Sequence, residues 1–177
     1  MSSSKLLKLM SLLVILSLLA SVLVGCSTST SSQSPVLIKS FECDMHVLSR
    51  SRDYTCRLRR TDESSTLTVK EPQELDGLEL EYQNGVYSVT FKGLTMSLDD
   101  SETQLTQHFA DGVMKVLDKT LSLEEISAKQ VNVTWIYEGE TTYGEFEMSF
   151  DRDGKILGIG IPKLDTEITF NNFEEIK

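Results

Sequence analysis

The sequence predicts an α+β fold that is mainly β, with an antiparallel sheet and one main amphipathic helix. From Ser40 onwards, apolar and polar residues alternate with a period of two over most of the chain, as in strands with one buried face. One central segment instead has apolar residues three to four positions apart, which is typical of an amphipathic helix. With 177 residues, the chain suits a single folded domain behind its N-terminal segments.

The first two predicted strands form a hairpin, and their apolar faces suggest its register. The expected opposed pairs are Phe41–Leu58, Cys43–Cys56 and Met45–Tyr54 on one face, and Glu42–Arg57 and His46–Asp53 on the other. Directly opposed cysteines lie within disulfide range. We therefore predict a Cys43–Cys56 disulfide, which an oxidising compartment would preserve, and keep two buried thiols as the alternative.

A third strand and a second hairpin follow. Leu67 and Val69 continue the apolar face opposite Leu58 and Cys56, and Pro72 ends this strand because it cannot donate to a ladder. The dipeptide Asn84-Gly85 suits a two-residue type I′ turn. Pairing around this turn gives the opposed pairs Leu78–Phe91, Leu80–Val89 and Tyr82–Tyr87.

The periodicity then changes to that of a helix from Ser101 to Lys119. Ser101 and Gln104 form a capping-box pattern, and the apolar positions are Leu105, Phe109, Val113, Val116 and Leu117. Three further strands are expected over residues 131–137, 144–150 and 157–161. Their expected opposed pairs are Trp135–Gly144, Phe146–Ile159 and Met148–Leu157, and residues 166–170 are expected to form a last edge strand.

The N-terminal segment predicts export and attachment to a membrane. Residues 1–25 contain two lysines followed by a long apolar run, as in a secretory signal. Leu23-Val24-Gly25-Cys26 resembles the lipobox of bacterial lipoproteins, in which the cysteine receives a diacylglyceryl group. Residues 26–38 then form the lipidated cysteine and a flexible Ser/Thr tether. The expected location is the extracytoplasmic face of the cell membrane, with a lipid anchor at Cys26.

The charge of the chain excludes one class of partner and leaves one basic segment unexplained. Without residues 1–25 the chain keeps 15 basic against 27 acidic residues, a net charge of −12, which argues against nucleic acid. Five of the six arginines nevertheless fall within eleven residues: Arg50, Arg52, Arg57, Arg59 and Arg60. They are interpreted either as a docking patch for an acidic partner or as cross-strand partners of Glu42 and Asp53.

No pattern of catalytic residues stands out. The two histidines, His46 and His108, have no candidate nucleophile beside them, and an exposed ion pair of His46 with Asp53 is the simpler interpretation. The turn Asp151-Arg-Asp-Gly154 is far shorter than a calcium loop. We expect neither an enzyme nor a bound metal or cofactor.

The order of the elements resembles the lipoprotein-carrier and sorting superfamily (LolA/LolB-like). The residues that carry the resemblance are the lipobox, the strand Ser40-Phe-Glu-Cys-Asp-Met45, the segment from Pro72 to Gly85, and Phe91-Lys-Gly-Leu94. The resemblance covers residues 39–177. It implies a strongly curved antiparallel sheet, a half-open barrel, with helical structure on its concave side, where members bind acyl chains or sense exported lipoproteins.

Two functions follow from these observations. The first is binding of lipid or acyl chains, or handling of lipoproteins, at the envelope. Its expected pocket is apolar and lies between the helix and the sheet: Leu80, Val89, Phe91, Leu105, Phe109, Val113, Met114, Trp135, Phe146 and Met148. The alternative is an envelope protein-interaction or sensor module whose large inward side chains fill a small barrel, with the arginines as its first candidate surface.

Overall fold

The computed structural model describes residues 35–83, 85–99 and 109–176, which form one antiparallel sheet of eleven strands and one helix. The helix, α1, spans Phe109–Leu121. The strands are β1 Phe41–Ser49, β2 Arg52–Arg60, β3 Ser65–Glu71, β4 Glu79–Gln83, β5 Val86–Phe91, β6 Leu94–Asp99, β7 Lys129–Val131, β8 Thr134–Thr141, β9 Gly144–Phe150, β10 Ile156–Ile161 and β11 Thr166–Glu175. Short 3-10 turns lie at Gln73–Leu75 and Pro162–Leu164.

The sheet is open, and its strand order is β6-β5-β4-β3-β2-β1-β11-β10-β9-β8-β7. The two halves of the chain thus form two wings, β1 to β6 and β7 to β11, which join at the β1–β11 pair. The predicted class, a mainly β fold with a curved antiparallel sheet and one main helix, is confirmed.

The second hairpin has the predicted register. Leu80 lies opposite Val89 and Tyr82 opposite Tyr87, and Gly85 in the turn has φ +83°. Leu78 precedes β4, and Phe91 pairs with Leu94 of β6. The predicted pairs of β2 with β3 are also confirmed: Leu58–Leu67 and Cys56–Val69. Strand β3 ends at Glu71, immediately before Pro72.

The predicted register of the first hairpin is wrong by two residues. Cys43 lies opposite Leu58 and Met45 opposite Cys56. Arg50 and Ser51 both have positive φ, 50° and 62°, so the strands are joined by a two-residue turn of the kind that matches the twist of a hairpin. A shift of two residues keeps every side chain on its face, so alternation alone cannot distinguish the two registers.

Strand β6 was not predicted. It follows a two-residue turn in which Lys92 and Gly93 have φ of 50° and 81°, and it pairs with β5 along its whole length. The alternation Leu94-Thr-Met-Ser-Leu98 is the local signal for this strand. Leu94 is 78% exposed and Met96 58% exposed, so β6 carries an apolar row that the described residues leave largely uncovered.

The predicted strand 131–137 is two strands. Asn132 has φ 58°, and a tight turn there folds β7 back onto β8, with Val131 opposite Thr134. The next loop is also shorter than expected: Thr141 lies opposite Gly144, and Trp135 therefore faces Phe150 and not Gly144. In β10, Ile159 faces Met148, so the predicted pairs Phe146–Ile159 and Met148–Leu157 are also wrong.

The last strand is not an edge strand. Strand β11 is ten residues long and lies between β1 and β10 near the centre of the sheet. Met45 of β1 pairs with Phe170, and Ile159 of β10 pairs with Ile168. The β1–β11 pairing joins residues more than 100 positions apart in the chain, and such long-range pairing leaves no local sequence signal.

Helix α1 lies against the inner face of the sheet. Ten of its thirteen residues are buried. Its Gly112 lies so close to the second wing that a Cβ there would be 2.5 Å from Leu164 Cδ1. The predicted start at Ser101, and the predicted apolar residue Leu105, lie outside the described residues. The helix ends at Leu121, two residues beyond the predicted end.

Candidate functional site

Most of the predicted pocket residues are buried in one apolar cluster. Of the ten residues, nine are described, and seven belong to the single buried cluster that α1 forms with the sheet: Leu80, Phe109, Val113, Met114, Trp135, Phe146 and Met148. Val89 is half-buried and packs against this cluster, Phe91 lies under the ammonium group of Lys92, and Leu105 is outside the described part. The candidate site is therefore the interface between α1 and the concave face of the sheet.

Asp111 is the polar centre of this interface. It lies in the first turn of α1 and is only 3% exposed. The Tyr87 hydroxyl donates to its Oδ1 atom and the Tyr143 hydroxyl to its Oδ2 atom. Lys115, one helical turn later, places its Nζ atom 3.9 Å from Oδ1. Buried charge is retained at low free-energy cost only when it is hydrogen-bonded in this way.

The two tyrosines belong to different wings. Tyr87 is in β5, and Tyr143 is in the turn between β8 and β9. We call Asp111, Tyr87 and Tyr143 the carboxylate clamp, because this arrangement ties the helix to both wings at once. Sequence reasoning missed it. In the helix predicted from Ser101 to Lys119, Asp111 is one of several polar residues between the apolar positions, so it gave no separate signal.

Two further contacts hold the other end of α1. Arg60 Nη1 of β2 donates to Asp118 Oδ1 at 2.6 Å and to Ser65 Oγ at 2.8 Å. Lys119 Nζ donates to the backbone carbonyl of Glu140 in β8. The helix is thus bonded to the first wing through Asp118 and to the second through Lys119. The carboxylate clamp makes the same two connections one to two turns earlier in the helix.

The predicted disulfide is not formed: Cys43 and Cys56 are free, buried thiols. The corrected register makes them diagonal neighbours, and diagonal positions are about 7–8 Å apart, too far for a disulfide without backbone movement. Burial raises the pKa of each thiol to about 12, with the Asp44 carboxylate adding to the effect at Cys43. Protonated thiols of this kind are poor nucleophiles and poor metal ligands.

The five arginines do not form one patch. Arg57 donates to Glu42 Oε1 at 2.5 Å and to Asp44 Oδ1 at 3.1 Å, and the Glu42 hydrogen bond and charge raise its pKa. Arg60 is turned inward to Asp118. Arg50, Arg52 and Arg59 are exposed, the first two at the hairpin turn and the third at the far end of β2. Ion pairs with acidic residues thus account for Arg57 and Arg60 but not for the three exposed arginines.

The remaining candidates from the sequence are the two histidines and the acidic side chains. His46 Nε2 lies 3.4 Å from Asp53 Oδ1 in an exposed pair, and His108 is outside the described part. No group of three or more His, Cys, Asp or Glu side chains in the described ranges is arranged to hold a metal ion. One surface cleft of about 200 Å³ lies between the turn at residues 61–65 and Asp118, and its lining is mostly polar.

Cys26 and residues 27–34 of the predicted tether also lie outside the described residues, so the structure does not place the predicted anchor. The last residues of the predicted tether are described: Leu37 and Ile38 pack against the buried cluster, and the Ile38 N–H donates to the Gly154 carbonyl at 3.3 Å. Among the helices in the described ranges, none has the length and apolar character needed to cross a membrane.

The fold and the site together define an open antiparallel sheet wrapped around one buried helix. No family model and no curated protein sequence matches the chain. Among solved structures, it is similar to an uncharacterized conserved protein from Thermus thermophilus, with 8% identity, a TM-score of 0.51 and coverage of 80% of this chain and 81% of that one. The shared feature is the fold.

Two other solved structures are similar at lower TM-scores. One is the LolA superfamily protein NE2245 from Nitrosomonas europaea, with 10% identity, a TM-score of 0.40 and coverage of 82% of this chain and 90% of that one. The other is a chain in the structure of the CwlD amidase from Clostridioides difficile in complex with the GerS lipoprotein, with 14% identity, a TM-score of 0.43 and coverage of 69% and 76%.

Proposed function

We propose that the protein is a lipoprotein anchored through Cys26 at the extracytoplasmic face of a cell membrane, where its folded domain binds a protein of the envelope. The anchor is supported by the leader, the lipobox and the short uncharged tether that follows it. Two or more acyl chains on one cysteine hold a protein stably on a bilayer, whereas one chain does not.

The burial of the predicted lining residues is the observation that favours a protein-binding module over a lipid carrier. Seven of them belong to one buried cluster with α1, and the carboxylate clamp holds that helix against both wings. An acyl chain can enter the concave face only if α1 moves out. That movement breaks buried hydrogen bonds to a charged group, each of which contributes about 1.5–3 kcal/mol.

The first positions to test for a protein partner are the exposed arginines, Arg50 and Arg52 at the hairpin turn and Arg59 at the far end of β2. Replacing all three with alanine should reduce recovery of the partner with the tagged full-length protein. Arg57→Ala is the matched control on the same strand, because Arg57 is already paired with Glu42 and Asp44. Equal losses in the triple variant and the control would argue against these positions.

Acyl-chain binding is the second candidate, favoured by the convergence of the predicted pocket residues around Met114 and Met148. Methionine side chains adapt to ligands of variable shape. Trp135 is buried in the same cluster, so its fluorescence distinguishes acyl-chain binding from a closed interior. We expect its emission to remain flat when the protein is titrated with a lysophospholipid. A saturable change in emission that is absent in Trp135→Phe would favour lipid binding over protein binding.

A further inference from the structure

Strand β6 is a terminal strand of the sheet without the usual protection of an edge. It pairs with β5 on one side, and no strand of the described residues pairs with it on the other. Natural edge strands are blunted by shortness, proline, lysine or bulges, since their free N–H and C=O groups otherwise recruit another strand. Residues 94–98 of β6 are Leu-Thr-Met-Ser-Leu, with neither charge nor proline, the register is unbroken, and the one charged residue of the strand is Asp99 at its end.

The other terminal strand shows the contrast. Strand β7 is only three residues long and begins with Lys129. The neighbouring strands β8 and β9 carry glutamates directly opposite one another, in the pairs Glu138–Glu147 and Glu140–Glu145. That end of the sheet is blunted and repels an acidic partner.

The hydrogen-bond pattern of β6 determines which residues present free backbone groups. Phe91 and Leu94 close a two-residue turn, so this pair and every second pair after it exchange hydrogen bonds. Thr95 and Ser97 are the intervening residues, and their backbone N–H and C=O groups point away from β5. Any strand that adds to this edge must bond to these two residues.

A second copy of β6 satisfies this requirement. In an antiparallel self-pair centred on Met96, Thr95 of one copy lies opposite Ser97 of the other, and each of these residues supplies the free groups. Met96 then lies opposite Met96 of the second copy. The apolar residues of both copies share one face and the hydroxyls the other, because opposed residues of an antiparallel pair point to the same side.

We propose that the protein forms a two-fold symmetric dimer through antiparallel β6–β6 pairing centred on Met96. The interface joins two open sheets into one and brings the exposed Leu94 and Met96 of the two copies side by side on one face. No like charges are directly opposed in this register, and the glutamates of β8 and β9 lie at the far ends of the joined sheets. The inference stands independently of the proposed function.

The first test uses a single cysteine on the symmetry axis. Opposed residues in a non-hydrogen-bonded pair are within disulfide range, so Met96→Cys should link to itself when cells expressing the full chain are treated with an oxidant. The expected result is a shift to twice the monomer mass on a non-reducing gel. Ser97→Cys, whose opposed residue is Thr95, and Val133→Cys, which is 70% exposed at the other end of the sheet, should remain monomers.

The second test adds charges at the two flanking positions in the Met96→Cys chain. With Thr95→Lys and Ser97→Lys, lysines face each other twice and the cross-link should be lost. With Thr95→Lys and Ser97→Glu, each lysine faces a glutamate and the cross-link should persist. Both pairs change the same exposed edge positions, so a general disturbance of β6 would affect them equally.

Three results would overturn the proposal. One is a Met96→Cys chain that dimerises no more than Val133→Cys. Another is self-linking of Ser97→Cys in place of Met96→Cys, which excludes the register. The third is a cross-linked product whose mass is not twice that of the chain, because the edge then binds a different protein.

Discussion

Tyr87 and Tyr143 donate hydrogen bonds to the two oxygens of the same carboxylate, that of Asp111, from opposite wings of the sheet. Strand β5, which carries Tyr87, and strand β9, which begins immediately after Tyr143, are seven positions apart in the sheet order. In a flat sheet, seven spacings would separate them by about 34 Å. The bonds form only because the sheet curves around α1, so the curvature and the position of the helix depend on each other.

The carboxylate clamp should contribute measurably to stability. Tyr143→Phe removes one donor and leaves a lone pair of a buried carboxylate unsatisfied, so we expect the free energy of unfolding to fall by about 1.5–3 kcal/mol. Urea denaturation followed by circular dichroism measures this change. Tyr137→Phe, a half-buried tyrosine whose ring packs on Phe146, is the control, with an expected change below about 0.5 kcal/mol. Equal changes in the two variants would contradict the clamp.

Gly139 lies directly beneath the ring of Phe146. A Cβ on Gly139 would be 2.4 Å from Phe146 Cζ, and that ring is buried and cannot swing away. We expect Gly139→Ala to lower the free energy of unfolding by about 1–3 kcal/mol through overpacking. Gly160→Ala is the matched control, a strand glycine with no heavy atom within 4 Å of the added Cβ. The account is wrong if Gly160→Ala is the more destabilising change.

The two core thiols should be unreactive and should make stability depend on alkaline pH. In the native protein, a thiol reagent at pH 8 should react slowly. In denaturant without reductant, it should label both Cys43 and Cys56. An intact mass two hydrogens below the value calculated from the sequence, with neither cysteine labelled, would show that the two cysteines form a disulfide.

The sign of the pH effect follows from the raised pKa values. Each thiol has a pKa of about 12 in the folded chain against its usual 9.0, so above pH 9 the unfolded state loses protons first. The free energy of unfolding should therefore be unaffected by these thiols below pH 9 and fall between pH 9 and 12. Cys43→Ala should make that fall shallower than in the parent. Parallel pH profiles for the two proteins would contradict the assignment.

The anchor is tested by Cys26→Ala. We expect this variant to keep its leader and to lose lipid attachment, because alanine cannot form the thioether on which processing depends. Metabolic labelling with a radioactive or clickable fatty acid, followed by gel electrophoresis, measures both effects. Cys43→Ala is the control and should be labelled like the parent. Fatty-acid labelling of the Cys26→Ala chain at the processed size would refute the lipobox.

Local sequence patterns determined much of this protein. Alternation placed the strands and their buried faces, Asn84-Gly85 indicated the register of β4 with β5, and Pro72 marked the end of β3. The apolar spacing around Phe109 and Val113 indicated the helix. Most of the residues predicted to face inward are buried, because a residue's face is determined by its neighbours along the chain.

Only the tertiary structure decided the register of the first hairpin, the registers of β8 to β10 and the place of β11. A shift of two residues leaves both faces unchanged, so alternation could not distinguish a Cys43–Cys56 pair from two separate thiols. The turn at Arg50 and Ser51 fixes the register that separates the thiols. The clamp at Asp111 joins side chains from two distant parts of the sheet. Such contacts arise when the sheet closes around the helix, and chain-local periodicity carries no record of them.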